Sequence, residues 1–392
     1  MATSGFIDSS DAIVRKRWED MLDREVRAFD PILSDGKGLA GKGQTNLVQI
    51  KDDLTRLPGA SVTVQYRYQL SGAGASGAAP LKNHEENVKF ATDTVSVNIL
   101  RHAVEVASPM YQQYMKPDIL DEARDALADW GASRLSMGLH AHAAGISIIT
   151  DTSYNLNNTI SAMNPTYIIR PNSKTAGNLT SGDRFTLELI NTAGKFVQVV
   201  SPKMRPAATP FGPRYCVFLH PEQVADLRAT NSTWYHNMRA RLQGGDIDKN
   251  PIYTRYLGED QGFLFFVSDF VPPGLNSAGT GYQGNTRRAW VGGAGALTLA
   301  FGRGYEDNPE FSANRWLWLN DSEDYEYKRS IAAMTVVGAK RLRFTKPGEA
   351  SARENSILVL ETYVDHDPFT AATVFDPDHA SWVRAVPGVV IS

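Results

Sequence analysis

The alternation of apolar and polar positions is clearest between Ser61 and Val106. The first half of this stretch has an apolar residue at every second position, namely Val62, Val64, Tyr66, Tyr68 and Leu70. After a Gly/Ala/Ser-rich connector the alternation returns at Val95, Val97 and Ile99, and it then changes face toward Leu100, Val104 and Val106. A period of two predicts strands with one covered face, and a change of face indicates a bulge or bend. We therefore predict a long two-stranded arm over residues 61–106.

The longest helical pattern begins at Pro117-Asp118 and ends near Gly145. One side of this helix carries its apolar residues: Leu120, Ala123, Leu127, Trp130, Met137 and Ala141. At 1.5 Å per residue the helix would extend roughly 40 Å. His140 and His142 lie two positions apart and so do not share a face, which favours a structural role over metal binding.

The segment from Arg214 to Pro273 predicts a folded mixed α and β core. Tyr215–Leu219 and Phe263–Val267 are short, continuous apolar runs of the kind found in strands buried on both faces. Pro221 suits the first turn of a helix that follows the first strand. This segment contains no catalytic constellation.

An amphipathic helix is predicted from Asp11 to about Phe29. Its apolar stripe consists of Val14, Trp18, Leu22 and Phe29. Two interpretations stay open, because the stripe could pack on its own domain or on a neighbouring subunit.

The glycine- and lysine-rich run from Gly36 to Gly43 is similar to a phosphate-binding loop, but Gly43 stands where that motif needs Ser or Thr. A strand before it and a helix after it are also missing from the pattern. A flexible arm with two lysines is the better interpretation.

Composition limits the classes of protein to which the chain can belong. The chain has 392 residues, 42% of them hydrophobic, which predicts two compact regions and excludes wholesale disorder. The net charge of −3 gives no overall basic field for nucleic acid. The single cysteine, Cys216, lies in a buried strand, so no internal disulfide is expected, and a reducing compartment suits the chain. No apolar run approaches the roughly 18 residues of a membrane span, and no secretory signal is expected.

A local basic cluster is formed by Lys340, Arg341, Arg343 and Lys346. A solvated face is the usual explanation of such a cluster. Contact with DNA, or with an acidic patch of a neighbour, is the alternative.

The order of several segments resembles the major capsid proteins of the Schitovirus group of tailed phages. These segments are FLHPEQVADLR (218–228), LQGG (242–245), NPIYTRYLG (250–258) and QGFLFFVSDFVPP (261–273). The stretches 288–297 and 324–344 are similar to that family as well. The resemblance is carried by order and spacing, and 274–286 and the residues from Asp365 onward have no counterpart in it.

The resemblance implies the α+β Hong Kong 97-like capsid fold. It divides the chain into an N-terminal arm (1–57), an E-loop hairpin (58–108), a peripheral domain with the spine helix (109–150 and 323–364), an axial domain (151–322) with a surface loop at 274–286, and a C-terminal tail (365–392).

The function that the resemblance implies is self-assembly into an icosahedral phage head. Expected partners are other copies in hexamers and pentamers, a portal, a decoration protein and packaged double-stranded DNA, with no cofactor, metal or membrane. A separate scaffold is expected because the N-terminal arm is too short to form one. Assembly is expected in the bacterial host cytoplasm, and the protein then resides in the virion capsid. The expected inter-subunit contacts are Trp18, Leu22, Tyr66, Arg67, Tyr68, Val95 and Val97. Another virion component, such as a tail or decoration protein, and an enzyme are the rival interpretations.

Overall fold

The fold is taken from a computed structural model of the chain. It describes residues 21–22, 26, 30–33, 39–55, 59–67, 70, 72, 74–77, 82, 85–106, 119–200, 203–233, 236, 256–303, 315–323, 328–345, 351–365, 373–376 and 381–384.

The helices of eight or more residues in this part of the chain are α1 (Ile119–Ala144), α2 (Leu187–Val199) and α3 (Pro221–Thr230). The strands in chain order are β1 (Ala40–Gly41), β2 (Val48–Lys51), β3 (Ser61–Arg67), β4 (Phe90–Ser96), β5 (Asn98–Val106), β6 (Ile168–Ile169), β7 (Ala207–Thr209), β8 (Gly212–Leu219), β9 (Tyr256–Asp260), β10 (Phe263–Val267), β11 (Pro273–Leu275), β12 (Tyr282–Gly292), β13 (Leu297–Phe301), β14 (Trp316–Glu323), β15 (Lys328–Arg341), β16 (Arg343–Phe344), β17 (Arg353–Glu354), β18 (Ile357–Tyr363), β19 (Thr373–Asp376) and β20 (Ser381–Arg384).

Helix α1 confirms the long predicted helix to within one residue at each end. The residue that follows α1 is Gly145, whose positive φ of 69° is the left-handed conformation that terminates helices. A side chain at this position would collide with Arg341 and Met163. With 26 residues, α1 extends about 39 Å at the usual helical rise.

One sheet has eight strands, in the order β6-β18-β12-β8-β10-β9, with β11 added to β12 and β7 to β8. β8 and β10 are parallel, and their register runs from Tyr215 opposite Phe263 to Leu219 opposite Val267. The residues from Cys216 to Leu219 and from Phe263 to Phe266 are buried, as predicted for strands covered on both faces. Burial raises the pKa of the Cys216 thiol to about 12, so this thiol stays protonated.

A second sheet has six strands, in the order β1-β2-β13-β15-β14, with β5 also paired to β15. β15, with 14 residues, is the longest strand of this sheet, and it pairs with β5, β13 and β14. Helix α1 packs against β15 and β5, and it also contacts β12 and β18 of the other sheet. It therefore joins the two sheets into one continuous core.

The predicted arm is shorter than its sequence pattern. β3 and β4 pair antiparallel from Ser61 opposite Ser96 to Arg67 opposite Phe90, and this pair is called the hairpin below. The backbone N–H of Val97 donates to Ala60, and the chain then enters the six-stranded sheet as β5. A bend is therefore present, but at Val97 and not between Ile99 and Leu100 where the apolar face changes, and residues 98–106 belong to the six-stranded sheet and not to the arm.

One further expectation needs correction. Residues 274–286, predicted to be a surface loop, contain the end of β11 and the start of β12, which pair with each other, and Leu275 and Thr286 are buried. Helix α2 starts at Leu187, after a turn in which Asp183 accepts hydrogen bonds from the Thr180 backbone and hydroxyl. The tail contains a short hairpin, β19–β20.

The range 323–364, predicted to belong to one peripheral domain, is divided between the two sheets, because β15 lies in the six-stranded sheet and β18 in the eight-stranded sheet. Among the described residues no helix is long and apolar enough to cross a bilayer.

We expect Gly338→Ala to destabilise the subunit, because a Cβ at this position of β15 would meet the carbonyl oxygen of Ser96 at the base of the hairpin. Overpacking against backbone costs about 1–3 kcal/mol. Urea unfolding of unassembled subunits measures this cost. Gly182→Ala is the matched control, because nothing lies near its added Cβ. Equal unfolding midpoints for the two variants would contradict the close approach of β15 to the hairpin.

Candidate assembly surface

The base of the hairpin is covered by the chain's own body. Val62 and Val95 pack with Leu54 and Ala300. On the same side of β3, Val64 packs with Leu342 and Phe344, and the Tyr66 ring stacks on Phe344 with 4.9 Å between ring centroids. The covered face that the alternation predicts is therefore covered from within.

At the end of the paired strands and beyond it, the large apolar side chains that the structure describes are exposed. Leu70 is 56% exposed, Val88 49% and Phe90 58%. A hydrogen bond links the two sides of the connection between β3 and β4: the backbone N–H of Gly72 donates to the Glu86 carboxylate over 2.6 Å. Leu70 together with residues 85–90 is called the hairpin tip below. Clustered exposed apolar residues mark interaction surfaces.

The predicted inter-subunit contacts fall into three groups. Leu22 and Val95 are fully buried by the chain itself, which leaves them no surface for a neighbour, and for these two the prediction is wrong. Arg67 is exposed, whereas Tyr66 and Val97 are half-buried against the body. Trp18 and Tyr68 lie outside the described residues.

The predicted basic cluster is not a continuous basic surface. Lys340 contacts Asp93 at 2.5 Å, and Arg341 is buried and contacts Glu354 at 2.8 Å. Arg343 also faces Glu354, at 3.3 Å. Burial lowers the pKa of Arg341 to about 10, which still leaves it charged at neutral pH. Lys340 joins β15 to β4 of the hairpin, whereas Arg341 and Arg343 pair with Glu354 of β17. Both predicted explanations are therefore wrong for Arg341, and Lys346 lies outside the described residues.

A second buried carboxylate, Glu361 on β18, is held in the same way. Arg170 donates to it over 2.7 Å, and the Arg288 side chain approaches it to 3.3 Å. A buried charge is tolerated only when it is paired and hydrogen-bonded. Glu354 and Glu361 therefore act as internal counter-ions of the core.

Asp30, His140, Ser268 and Trp290 form a buried polar cluster that the sequence did not reveal. Trp290 donates to Nδ1 of His140 over 2.9 Å, so Nε2 carries the hydrogen. Nε2 lies 3.1 Å from the Ser268 hydroxyl and 3.4 Å from Asp30. The Ser268 hydroxyl also contacts Asp30, at 3.0 Å.

This cluster does not have the geometry of a hydrolytic triad. In a triad the aspartate and the serine lie at opposite ring nitrogens of the histidine, whereas here both face Nε2. Asp30, His140, Ser268 and Trp290 are also fully buried. Burial acts to raise the pKa of Asp30, but electrostatic attraction to His140 and hydrogen bonds from His140, the Ile32 backbone and Ser268 outweigh it and lower that pKa. The cluster ties residues 30–33 to α1 and to the eight-stranded sheet.

His142 is also buried and hydrogen-bonded inside the fold. Its Nε2 lies 2.8 Å from the carbonyl oxygen of Asn155, and burial lowers its pKa to about 4. Within the described part of the chain, no group of three potential metal ligands is placed to hold an ion.

Arg184 links the start of the tail to helix α3. It lies 3.3 Å from Asp226 and 2.7 Å from Asp365. Burial and repulsion from Asp365 raise the pKa of Asp226 to about 6, although Arg184 acts in the opposite direction. One oxygen of Asp226 is buried without a hydrogen-bond partner.

Two packed sheets, a long central helix and a hairpin with an exposed apolar tip define an α+β protein with an apolar surface open to association. Comparison with known proteins identifies its family. The profile of the family described as "Phage capsid protein" matches residues 9–366, and the chain belongs to that family.

Solved phage capsids share the fold. The capsid of Ralstonia phage GP4 is 20% identical with a TM-score of 0.70, over 93% of this chain and 99% of that one. The capsid of cyanophage Pam1 is 16% identical with a TM-score of 0.62, over 83% and 91%. The head of Helicobacter pylori bacteriophage KHP40 is 12% identical with a TM-score of 0.57, over 84% and 90%. No curated protein sequence matches the chain.

The protein is therefore a major capsid protein that forms the phage head. Its fold is the Hong Kong 97-like α+β fold, and it assembles with copies of itself into the virion capsid. The predicted relation to tailed-phage capsid proteins is confirmed.

We expect Asp226→Asn to stabilise the subunit above pH 6. The folded-state pKa of about 6 exceeds the ordinary 3.8, so the native state binds more protons between these values. Stability of the wild type therefore falls as pH rises through this window, and the asparagine variant does not lose it. We expect a gain of about 3 kcal/mol at pH 7.5, because each pKa unit between 3.8 and about 6 corresponds to about 1.4 kcal/mol, and none at pH 3.5.

Urea unfolding of unassembled subunits at the two pH values measures the gain. Asp129→Asn, on the exposed side of α1, is the matched control and should change stability equally at both. A gain in stability at pH 7.5 no larger than that at pH 3.5 would show that burial does not raise the pKa of Asp226.

Proposed function

We propose that this chain builds hexameric and pentameric capsomers of an icosahedral head around double-stranded DNA. The hairpin serves as the E-loop, and its uncovered tip lies on a neighbouring subunit. The observation that carries this proposal is the division of the hairpin into a covered base and an exposed apolar tip. A tip of that kind gains stability only when a second molecule covers it.

The energetic argument rests on repetition. Burial of a large apolar side chain contributes about 1.5–3 kcal/mol. Leu70, Val88 and Phe90 are each roughly half exposed, so one docked tip contributes a few kcal/mol at most. Because every subunit in a closed shell both gives and receives a tip, moderate contacts add through multivalency.

The domain division given by the resemblance is part of the proposal. Residues 1–57 act as the N-terminal arm, and the part of the predicted range 58–108 that lies outside the six-stranded sheet acts as the E-loop. The ranges 109–150 and 323–364 act as the peripheral domain, 151–322 as the axial domain and 365–392 as the tail. A portal, a separate scaffold and a decoration protein are the proposed partners, and assembly takes place in the host cytoplasm.

A structural role without catalysis is proposed as well. Its support is that Ser268, His140 and Asp30, which have the residue types of a hydrolytic triad, are fully buried and share one ring nitrogen. A substrate would have no access to them.

We expect the triple variant Leu70→Ser, Val88→Ser, Phe90→Ser to fold but to assemble poorly. Particle yield should fall by about tenfold or more, because one lost contact of 1.4 kcal/mol already gives that factor and the contacts repeat. Sedimentation of assembled particles measures yield, and urea unfolding of the subunit measures folding.

The double variant Val199→Ser, Phe211→Ser is the matched control, because these side chains are 81% and 50% exposed outside the hairpin. Wild-type particle yield from the tip variant, with a stable subunit, would contradict docking of the hairpin on a neighbour.

A further inference from the structure

The last residue of β4, Ser96, is hydrogen-bonded by a side chain from outside the hairpin. Its backbone N–H donates to Oδ1 of Asn158 over 3.0 Å, and its carbonyl oxygen accepts a hydrogen bond from Nδ2 of Asn158 over 2.9 Å. A side-chain amide carries an acceptor and a donor, as a peptide group does, so these two bonds reproduce the contacts of a neighbouring strand. Asn158 itself is buried. It therefore acts as a strand partner of one residue at the point where the chain leaves the hairpin.

The preceding residue, Asn157, bonds the strands on the other side of the bend. Its Nδ2 donates to the carbonyl oxygen of Val337 on β15 over 2.9 Å, and it lies 3.4 Å from the carbonyl oxygen of Asn98 on β5. The carbonyl oxygen of Leu156 accepts from the N–H of Ala339, also on β15, over 3.2 Å. Three consecutive residues thus join the end of β4 to β5 and β15.

The backbone of this segment is strained. Leu156 and Asn157 have positive φ values of 49° and 63°. Asparagine tolerates the left-handed conformation, but leucine rarely adopts it. Such strain persists only where surrounding contacts hold it, and it is concentrated at sites with a function. The segment is therefore held in one shape by its contacts, which is what a positioning element needs.

Helix α1 supplies the contacts that hold this segment, which is called the anchor loop below (residues 154–158). Three residues that lie four positions apart, and so share one face of α1, contact it: Arg134, Gly138 and His142. The Arg134 guanidinium lies 4.0 Å from the centre of the Tyr154 ring. Nε2 of His142 donates to the carbonyl oxygen of Asn155 over 2.8 Å. Gly138 leaves the space that Leu156 occupies, because a Cβ there would lie 2.5 Å from Leu156 Cγ.

The other contacts at the base of the hairpin do not determine its direction. Val62 and Val95 pack the base against the body, but hydrophobic contacts are non-directional. Lys340 reaches Asp93 through a long, flexible side chain. The two hydrogen bonds of Asn158 depend on both distance and angle. They therefore fix the direction in which β4 leaves the body.

We propose that Asn158 is the residue that sets the direction of the hairpin, and that the anchor loop makes this direction depend on α1. This inference rests on the proposed function, because it names the residue that orients the E-loop before assembly. It requires that removal of the Asn158 amide loosens the hairpin selectively and lowers assembly. An asparagine with a purely structural role would lower the stability of the subunit without this selectivity.

The first experiment measures amide hydrogen exchange in unassembled subunits. Asn158→Ala should speed exchange of the β3 and β4 amides about tenfold, because both backbone groups of Ser96 lose their partner. Asn164→Ala is the matched control, since this asparagine also bonds two backbone groups, those of Thr166 and Ala352, outside the hairpin. It should leave exchange in β3 and β4 unchanged, although both variants lower the urea midpoint.

Asn158→Asp keeps the shape of the side chain and adds a test by pH. Its ionised carboxylate accepts from the Ser96 N–H but cannot donate to the Ser96 carbonyl, so exchange in β3 and β4 should be fast at pH 7.5. A protonated carboxyl recovers the donor, and burial favours that form. Protection, corrected for the intrinsic exchange rate, should therefore return to within about threefold of the wild type at pH 5. Asn158→Ala should show no such recovery.

The link to α1 is tested by a substitution on the helix. The nearest neighbours of a Cβ at Gly138 are Leu156 and Tyr154 of the anchor loop, not residues of the hairpin. Gly138→Ala should nevertheless speed exchange in β3 and β4 severalfold, because it displaces the anchor loop. Gly131→Ala is the control on the same helix, since its Cβ would lie 2.7 Å from the Trp316 ring instead. It should leave exchange in the hairpin unchanged.

Particle yield connects the direction of the hairpin with assembly. Asn158→Ala should lower the yield about tenfold, whereas Asn164→Ala should change it by less than about twofold. Unchanged exchange in β3 and β4 of Asn158→Ala would overturn the inference. Equal acceleration by both alanine variants would overturn it too, and so would a wild-type yield from a subunit with a loosened hairpin.

The exchange measurements keep this inference separate from the proposed function, because they use unassembled subunits. Failure of the wild type to form particles under any condition would overturn the proposed function. Selective loosening of the hairpin by Asn158→Ala would still support the role of Asn158.

Discussion

The pairing of β5 with β15 determines where the hairpin leaves the body. Nine residues of β5 pair with β15, from Val106 opposite Arg329 to Asn98 opposite Val337. The chain bends within one residue, at Val97, and Gly338 lets the Ser96 carbonyl approach β15 closely. Lys340 then contacts Asp93 of β4, so the base of the hairpin is fixed at two points. A projection held in this way presents its tip in a defined direction, which lowers the entropy cost of docking.

Buried ionic groups connect the elements that must keep this geometry. Glu354 pairs with Arg341 and Arg343, and Glu361 pairs with Arg170 and Arg288. A buried ion pair adds little net stability compared with a well-packed apolar pair, but removal of one partner leaves an uncompensated charge. Such groups therefore select one arrangement of β15, β17 and β18 over its competitors. The cluster of Asp30, Ser268, His140 and Trp290 has the same role for residues 30–33.

The sequence was a good guide to elements whose environment is set locally. α1, β8, β10 and the alternation of β3 are found where apolar periodicity predicts them. Periodicity shows which face is covered but not which residues cover it. The cover of Val64 and Tyr66 by Leu342 and Phe344 was therefore missed. The prediction of a continuous basic surface at 340–346 was wrong for a related reason. Neighbouring residues on a strand point to opposite faces, and the carboxylates that pair with these cations, Asp93 and Glu354, lie elsewhere in the chain.

The covered base and the uncovered tip serve different requirements of a shell. A fully exposed hairpin would be marginally stable and would order only on assembly, at a large entropy cost. A fully covered hairpin would have no apolar surface left for a neighbour. With Val62, Val64 and Val95 buried and Leu70, Val88 and Phe90 exposed, the strands are ordered before assembly and the tip still gains from contact. In the proposed assembly each contact is weak enough to be corrected during growth, and the closed lattice makes the sum of contacts strong.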